Sequence, residues 1–243
     1  GRHNIITLVN SFHGRTLCTL SATGQEVFHN YFFPFAEGFI NTPANDIEML
    51  IKTLDENKDT VCAFMFECVQ GEGGVIPLDN DFVSAIIREC EKRDILTICD
   101  EVQTGVGRTG KFLACEHYNI KPDIVTLAKG LAGGIPIGVC MANEKCSDVL
   151  SRGMHGSTFG GNPISCAGGN VVLDRVLSKG FLDEVSKKGE YIKNRLCAMN
   201  EVEGVDGLGL MLGIRLKTKN AADVCKDCLE SGLLVLTAKE KLR

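Results

Sequence analysis

No apolar run in this 243-residue sequence approaches the roughly 18–20 residues that a membrane-spanning helix needs, so a helical membrane protein is excluded. There is no surplus of positive charge either. Lys and Arg number 26 against 31 Asp and Glu, the formal charge is -5, and the basic residues are scattered, so a phosphate-backbone footprint is missing and nucleic acid is not an expected partner. No internal repeat or low-complexity segment is visible. The 12 cysteines lack the arrangement of a disulfide framework: they sit singly in apolar runs such as Val61-Cys62-Ala63-Phe64 and Thr97-Ile98-Cys99-Asp100, which reads as reduced core thiols. The one C-x-x-C pair, Cys225 and Cys228, has no second pair and no His at zinc spacing, so no metal site is expected. Gly1-Arg2-His3-Asn4 carries neither an initiator Met nor a signal-peptide pattern, and the expectation is a cytoplasmic protein and a fragment of a longer chain.

What is present is ordinary globular composition, 44% hydrophobic and 23% charged, in a chain that can bury one core or a domain and a half. Short β-branched runs at Ile5–Val9, Val61–Phe66, Ile95–Cys99, Asp123–Leu127 and Ile137–Met141 read as strands buried on both faces, alternating with amphipathic segments. That alternation predicts an α/β fold with a mostly parallel sheet. Phe82, Ile86 and Cys90, flanked by Val83 and Ile87, predict a covering helix that Asp79 caps after Pro77. Leu182, Val185, Ile192, Leu196 and Met199 mark a second helix, preceded by a Gly-poor stretch from Val171. A strand around Met211–Leu216, a helix near Ala221–Leu229 and a strand at Leu233–Leu236 then predict a smaller α+β unit. The expected division is a large domain over 1–177 and an incomplete small domain over 178–243.

Ligands of open α/β sheets lie outside the carboxyl ends of the strands, so polar residues that directly follow strand runs carry most weight. Asp100 follows Ile95–Cys99, and Lys129 follows Asp123–Leu127, with Gly130, Gly133 and Gly134 just beyond. A carboxylate and an amine on one rim suit pyridoxal phosphate: the amine forms an imine with the aldehyde and the carboxylate keeps the pyridine nitrogen protonated. Seen alone, Lys129 reads more readily as a solvated loop lysine and Asp100 as a helix cap or a structural ion pair.

The surrounding motifs change that balance. Ser11-Phe12-His13-Gly14-Arg15-Thr16, Gln70-Gly71-Glu72-Gly73-Gly74, Asp100-Glu101-Val102-Gln103-Thr104-Gly105 through Lys111, Thr126-Leu127-Ala128-Lys129-Gly130 and His155-Gly156-Ser157-Thr158-Phe159-Gly160-Gly161-Asn162-Pro163 follow one another in order. Together they closely resemble the class III, ornithine-type, pyridoxal-phosphate-dependent aminotransferases over essentially the whole chain. The resemblance implies the aspartate-aminotransferase-like type I fold. It implies Lys129 as the cofactor-bearing lysine and proton carrier, and Phe12, Asp100, Glu101, Val102, Gln103 and Thr158 as cofactor contacts. Asp100 would pair with the ring nitrogen, Val102 and Phe12 would cover the two ring faces, and Gln103 would meet the phenolic oxygen. Thr158 would reach the phosphate across a homodimer interface, with Ser157 beside it near the substrate. Arg15 would grip the α-carboxylate of the amino donor. Arg243 would bind the 2-oxoglutarate α-carboxylate, with Glu72 masking it while the donor is bound. The expected donor is an N2-acetylated ornithine and the products include glutamate, as in arginine biosynthesis. Ornithine, succinylornithine, succinyldiaminopimelate and 4-aminobutyrate remain alternatives, because each pairs a carboxylate with a distant amine.

The sequence departs from the family pattern at Cys68, where proline is usual after Glu67; an inert buried thiol is expected there. The family segments that precede the first motif, including a helix N-terminus for the cofactor phosphate, are not in the sequence, nor are the strand and helix that follow Arg243 in the family. Two other enzymatic readings compete. Gly105–Lys111 fits a phosphate-binding loop except that Phe112 stands where a Ser or Thr must reach magnesium, and the same glycines match G-x-G-x-x-G, but Pro122 arrives too soon for the helix a dinucleotide fold needs. A non-enzyme reading is a fragment that binds no cofactor.

Overall fold

The computed structural model describes every residue from Gly1 to Arg243. In chain order, strand β1 (Asn4–Leu8) is followed by helix α1 (Leu17–Ala22), β2 (Phe39–Thr42), α2 (Ile47–Glu56) and β3 (Val61–Phe66). A hairpin of β4 (Val69–Gln70) and β5 (Ile76–Pro77) leads to α3 (Asn80–Lys92), β6 (Leu96–Asp100), β7 (Ile124–Leu127) and β8 (Val139–Ala142). Helices α4 (Pro163–Val176) and α5 (Phe181–Cys197) precede β9 (Val202–Leu208), β10 (Met211–Leu216), α6 (Ala221–Glu230), β11 (Thr237–Ala238) and β12 (Lys241–Leu242).

The main sheet has the order β2-β1-β3-β6-β7-β8, parallel throughout except for β8, which runs antiparallel at one edge. Its central strands are apolar on both faces because helices cover them, as parallel connections require. Phe64 and Phe66 of β3, Leu50 and Leu54 of α2, and Phe82 and Ile86 of α3 are all fully or almost fully buried in one core. The buried face of α3 is the one its four-residue spacing predicted, while Glu89 at its margin is held by Lys92, Arg93 and Arg88, which keep its carboxyl low, at about 2. A separate four-stranded antiparallel sheet, β11-β12-β10-β9, forms from the last third of the chain, with α5 packed on β9 and β10.

Three local expectations need correction, and one strand was not expected. Ile137–Met141 is not a strand buried on both faces: β8 is an exposed edge strand, open on one side for want of a neighbour. Asp79 occupies the N-cap of α3, but its side chain accepts no capping bond; its N–H instead donates to Asn45 Oδ1 at 2.8 Å. Leu233–Leu236 is not a ladder strand, and Leu234 is 83% exposed; the pairing starts at β11, with Leu236 and Arg243 exchanging two backbone hydrogen bonds of 3.0 and 2.7 Å. Strand β2 carries no apolar run long enough to announce itself, and it is positioned by pairing with β1.

Candidate active site

Asp100 is the last residue of β6, and the parallel register sets it beside Thr126 of β7. Lys129 lies two residues past the end of β7. Both therefore stand at the carboxyl rim of adjacent strands. Asp100 is 7% exposed and receives three donors: His13 Nδ1–H to Oδ2 at 2.8 Å, Val102 N–H to Oδ1 at 3.0 Å and the Thr126 hydroxyl to Oδ1 at 3.3 Å. A carboxylate fixed this way is aimed, with little freedom to rotate. Lys129 is exposed and sits at φ +47°, left-handed backbone that a side chain with a Cβ occupies only under constraint. Its amine makes no hydrogen bond or ion pair, and it faces an open cavity of about 530 Å³ lined by Gly134–Gly138, Ser157 and Phe159–Asn162. Thr158 is exposed in the same loop and does not line that cavity.

Next to His13, the half-buried Phe12 packs edge-on to Phe28, with ring centroids 5.5 Å apart, and the Arg15 guanidinium lies over both rings at 5.5 and 4.7 Å. Arg15 has no acidic partner, so its fork is available to a ligand carboxylate. Glu72, in the β4–β5 turn, accepts from Arg243 Nη1 at 2.7 Å, and Gln103 touches both at 3.3 and 3.4 Å. Sequence elements 171 residues apart thus meet in one ion pair.

Glu101, which the family resemblance puts among the cofactor contacts, has its carboxylate held by donors of the chain itself. Only 1% exposed, it turns beneath the rim, where Oε1 accepts the Cys115 N–H at 2.8 Å and Oε2 the Thr104 hydroxyl at 2.5 Å. Its carboxylate fastens the 101–115 loop. Cys99 lies against it, with Sγ 3.7 Å from Oε1 and 3.6 Å from Cys68 Sγ. Hydrogen bonds to Cys115 and Cys68, together with burial, push the Cys99 thiol well up. The Cys99 contact pulls the Cys68 thiol down, but burial and the Glu101 charge outweigh it and leave it raised, so Cys68 stays a protonated core thiol at neutral pH. The sequence 105–111 forms turns with no long helix after it, so the N-terminal dipole of a phosphate-binding loop is not built there.

Two functional side chains escaped the sequence reading. His13, its side chain 1% exposed, is the main anchor of Asp100, and its Nε2 is buried without a hydrogen-bond partner. Glu67 is 4% exposed and accepts the N–H groups of Phe12 at 2.9 Å and Gly71 at 3.4 Å, tying together the two loops that flank the rim. His13 lies inside a motif already singled out and Glu67 just before another; what was missing was the partner, 87 and 55 residues away. Burial is the main cause that raises Glu67 to about 7, opposed by His13 and reinforced by Asp100. A folded-state value above the unfolded one favours the fold below the unfolded value and withdraws that stability as pH rises through about 7. Thermal unfolding is expected to lose roughly 1–3 kcal/mol of stability between about pH 5 and pH 8 through this residue. Glu67→Gln should flatten the profile, and an unchanged profile in that variant refutes the assignment.

Sheet order and rim residues together define an α/β fold of the aspartate-aminotransferase-like type. The family profile described as Aminotransferase class-III matches residues 1–243, and the chain belongs to that family. The acetylornithine aminotransferase of Haemophilus ducreyi is 51% identical over 243 residues, covering 100% of this chain and 61% of that protein. That of Aquifex aeolicus is 46% identical over 239 residues, covering 98% and 62%. An ornithine aminotransferase structure from Toxoplasma gondii, with partial occupancy of PLP at its active site, superposes with a TM-score of 0.91 at 30% identity, covering 99% of this chain and 58% of that one. The chain thus spans about three fifths of the length of the curated relatives it matches.

Proposed function

We propose that the protein carrying this chain transfers the 5-amino group of N2-acetyl-L-ornithine to 2-oxoglutarate, using pyridoxal phosphate held by Lys129 and Asp100. The observation that carries the reading is the pair of rim residues: a buried, triply hydrogen-bonded carboxylate and an unpartnered amine at the ends of adjacent parallel strands. The residues present fit the cofactor. Asp100 offers an aimed negative charge for a ring nitrogen, half-buried Phe12 and Val102 offer apolar surfaces for its two faces, and the Gln103 amide lies within the same loop. When bound, pyridoxal phosphate supplies an aldehyde for the amine and an electron sink for the charge left on the substrate carbon. The chain's own residues do the remaining work. Lys129 Nζ takes the proton from the substrate carbon that bears the reacting amine and, with the cofactor bound, would return it to the former aldehyde carbon on the far side of the intervening nitrogen. His13 keeps Asp100 in register through its Nδ1–H. Arg15 binds the α-carboxylate of the donor bidentately and so holds the α-amino end away from the rim. Arg243, released by Glu72, binds the α-carboxylate of the keto acid, so that one site serves two substrates of different charge.

Names shared with relatives such as those of Haemophilus ducreyi and Aquifex aeolicus support the acetylated donor. The second reading, ornithine itself, is favoured by the Toxoplasma gondii likeness. A homodimer accounts for the exposure of Thr158 and of the neighbouring Phe159 and Ile164, 81% and 70% exposed. Cytoplasmic residence fits a chain with no helix long and apolar enough to cross a membrane. The deciding experiment compares kcat/KM for N2-acetyl-L-ornithine and for L-ornithine, with glutamate formation as the readout. The acetylated substrate is expected to be faster by about ten-fold or more. Faster turnover of free ornithine sinks the assignment.

A further inference from the structure

We propose that Gln103 is the stand-by partner of Glu72, the residue that lets Arg243 leave its ion pair and so sets the preference for dicarboxylate substrates. This rests on the reading of Arg243 as the keto-acid anchor. Glu72, Gln103 and Arg243 form a closed triangle. Its short edge is the 2.7 Å ion pair; the two edges to Gln103, 3.3 Å from Arg243 Nη1 to Oε1 and 3.4 Å from Nε2 to Glu72 Oε1, are long and slack. The Glu72 side chain is 30% exposed and that of Arg243 19%. When Arg243 turns to a ligand carboxylate, Glu72 is left largely buried without its cation, and an uncompensated charge there opposes the exchange. The Gln103 Nε2–H already points at Glu72 Oε1 and needs only a few tenths of an ångström to become a full hydrogen bond. The amide thereby lowers the cost of opening.

Gly71 is an independent sign that the amide's position is built in. A Cβ on Gly71 would lie 2.0 Å from Gln103 Oε1, 2.5 Å from Cδ and 2.8 Å from Nε2, so the amide packs directly on the glycine Cα. The Gly71 backbone is not left-handed, unlike that of Gly74 two residues past Glu72. Glycine at 71 therefore makes room for the amide in this position rather than supplying a special backbone conformation. An added methyl would evict the amide from the triangle without touching Glu72 or Arg243.

The test separates opening from all other effects of Gln103. Gln103→Leu is made in the wild-type and Arg243→Ala backgrounds, and thermal unfolding of the purified protein is measured. With Arg243 absent, Gln103 is the remaining partner of Glu72, so the same substitution is expected to lower Tm by a few degrees more than it does in the wild type. Equal losses in the two backgrounds overturn the proposal. In parallel, the two half-reactions are followed separately by cofactor absorbance for wild type, Gln103→Leu and Gly71→Ala. Any loss at the cofactor's phenolic oxygen is common to the two half-reactions, so both variants are expected to raise KM for glutamate by about ten-fold more than they raise KM for the acetylated donor. Parallel changes in the two KM values overturn it as well. A wild-type protein that processes neither substrate refutes the proposed function, and the unfolding cycle still decides the role of Gln103.

Discussion

Lys129→Ala, purified with pyridoxal phosphate, is expected to show no lysine-linked cofactor after borohydride reduction and peptide mass analysis. Its transamination rate should fall by about 10⁴-fold or more, because one amine both holds the aldehyde and moves the proton. Addition of a small primary amine should restore part of the proton transfer, since the rest of the rim is untouched. The backbone adds a second, independent readout. Lys129 is held at φ +47°, a conformation that costs a residue with a Cβ roughly 1–2 kcal/mol. In cofactor-free protein, Lys129→Gly should therefore be more stable than Lys129→Ala by about 1 kcal/mol, measured by denaturant unfolding. Equal stabilities in the two variants would show that the strain is not real, and a lysine adduct elsewhere in the chain would remove Lys129 from its role.

Asp100→Asn is expected to lower kcat by roughly 10²–10³-fold with KM changed only a few-fold, because an amide is nearly isosteric but carries no charge to hold a ring nitrogen protonated. The substitution leaves Oδ1 able to accept from Val102 and Thr126, so the fold should persist, and an unchanged circular dichroism spectrum checks this. His13→Leu removes the 2.8 Å donor on Oδ2 and should cost about ten-fold, the scale of one hydrogen bond to a charged group. If His13 acts through Asp100, the double variant is no slower than Asp100→Asn alone. Multiplied losses in the double variant would give His13 a separate task.

The two rim residues were legible because each directly follows an apolar run, and a sheet of this type places such positions on one edge. The structural task of Glu101 was not legible: its carboxylate is taken up by the Cys115 N–H and the Thr104 hydroxyl, pairings that the motif does not name. His13 and Glu67 lay beyond reach for a like reason. Their importance is a property of pairs, Asp100 for one and the Phe12 and Gly71 amides for the other, and neither pairing leaves a local trace. Leu233–Leu236 shows the converse failure, an apolar run whose leucines are 57–83% exposed and whose hydrogen-bonding pattern starts only at its end.

The mounting of Arg243 bears on time as well as on binding. Its N–H and C=O are both tied to Leu236, so the base of the side chain is fixed to the small sheet while its guanidinium rests on Glu72. Exchange between Glu72 and a ligand is then a rotation about side-chain bonds, an event of picoseconds to nanoseconds once the ion pair parts, rather than a microsecond rearrangement of backbone. Such a rotation equilibrates many times within any ordinary catalytic cycle. Which of two substrates prevails is consequently decided by the relative depth of two wells, and rate constants for the swing itself should leave no mark on the observed kinetics.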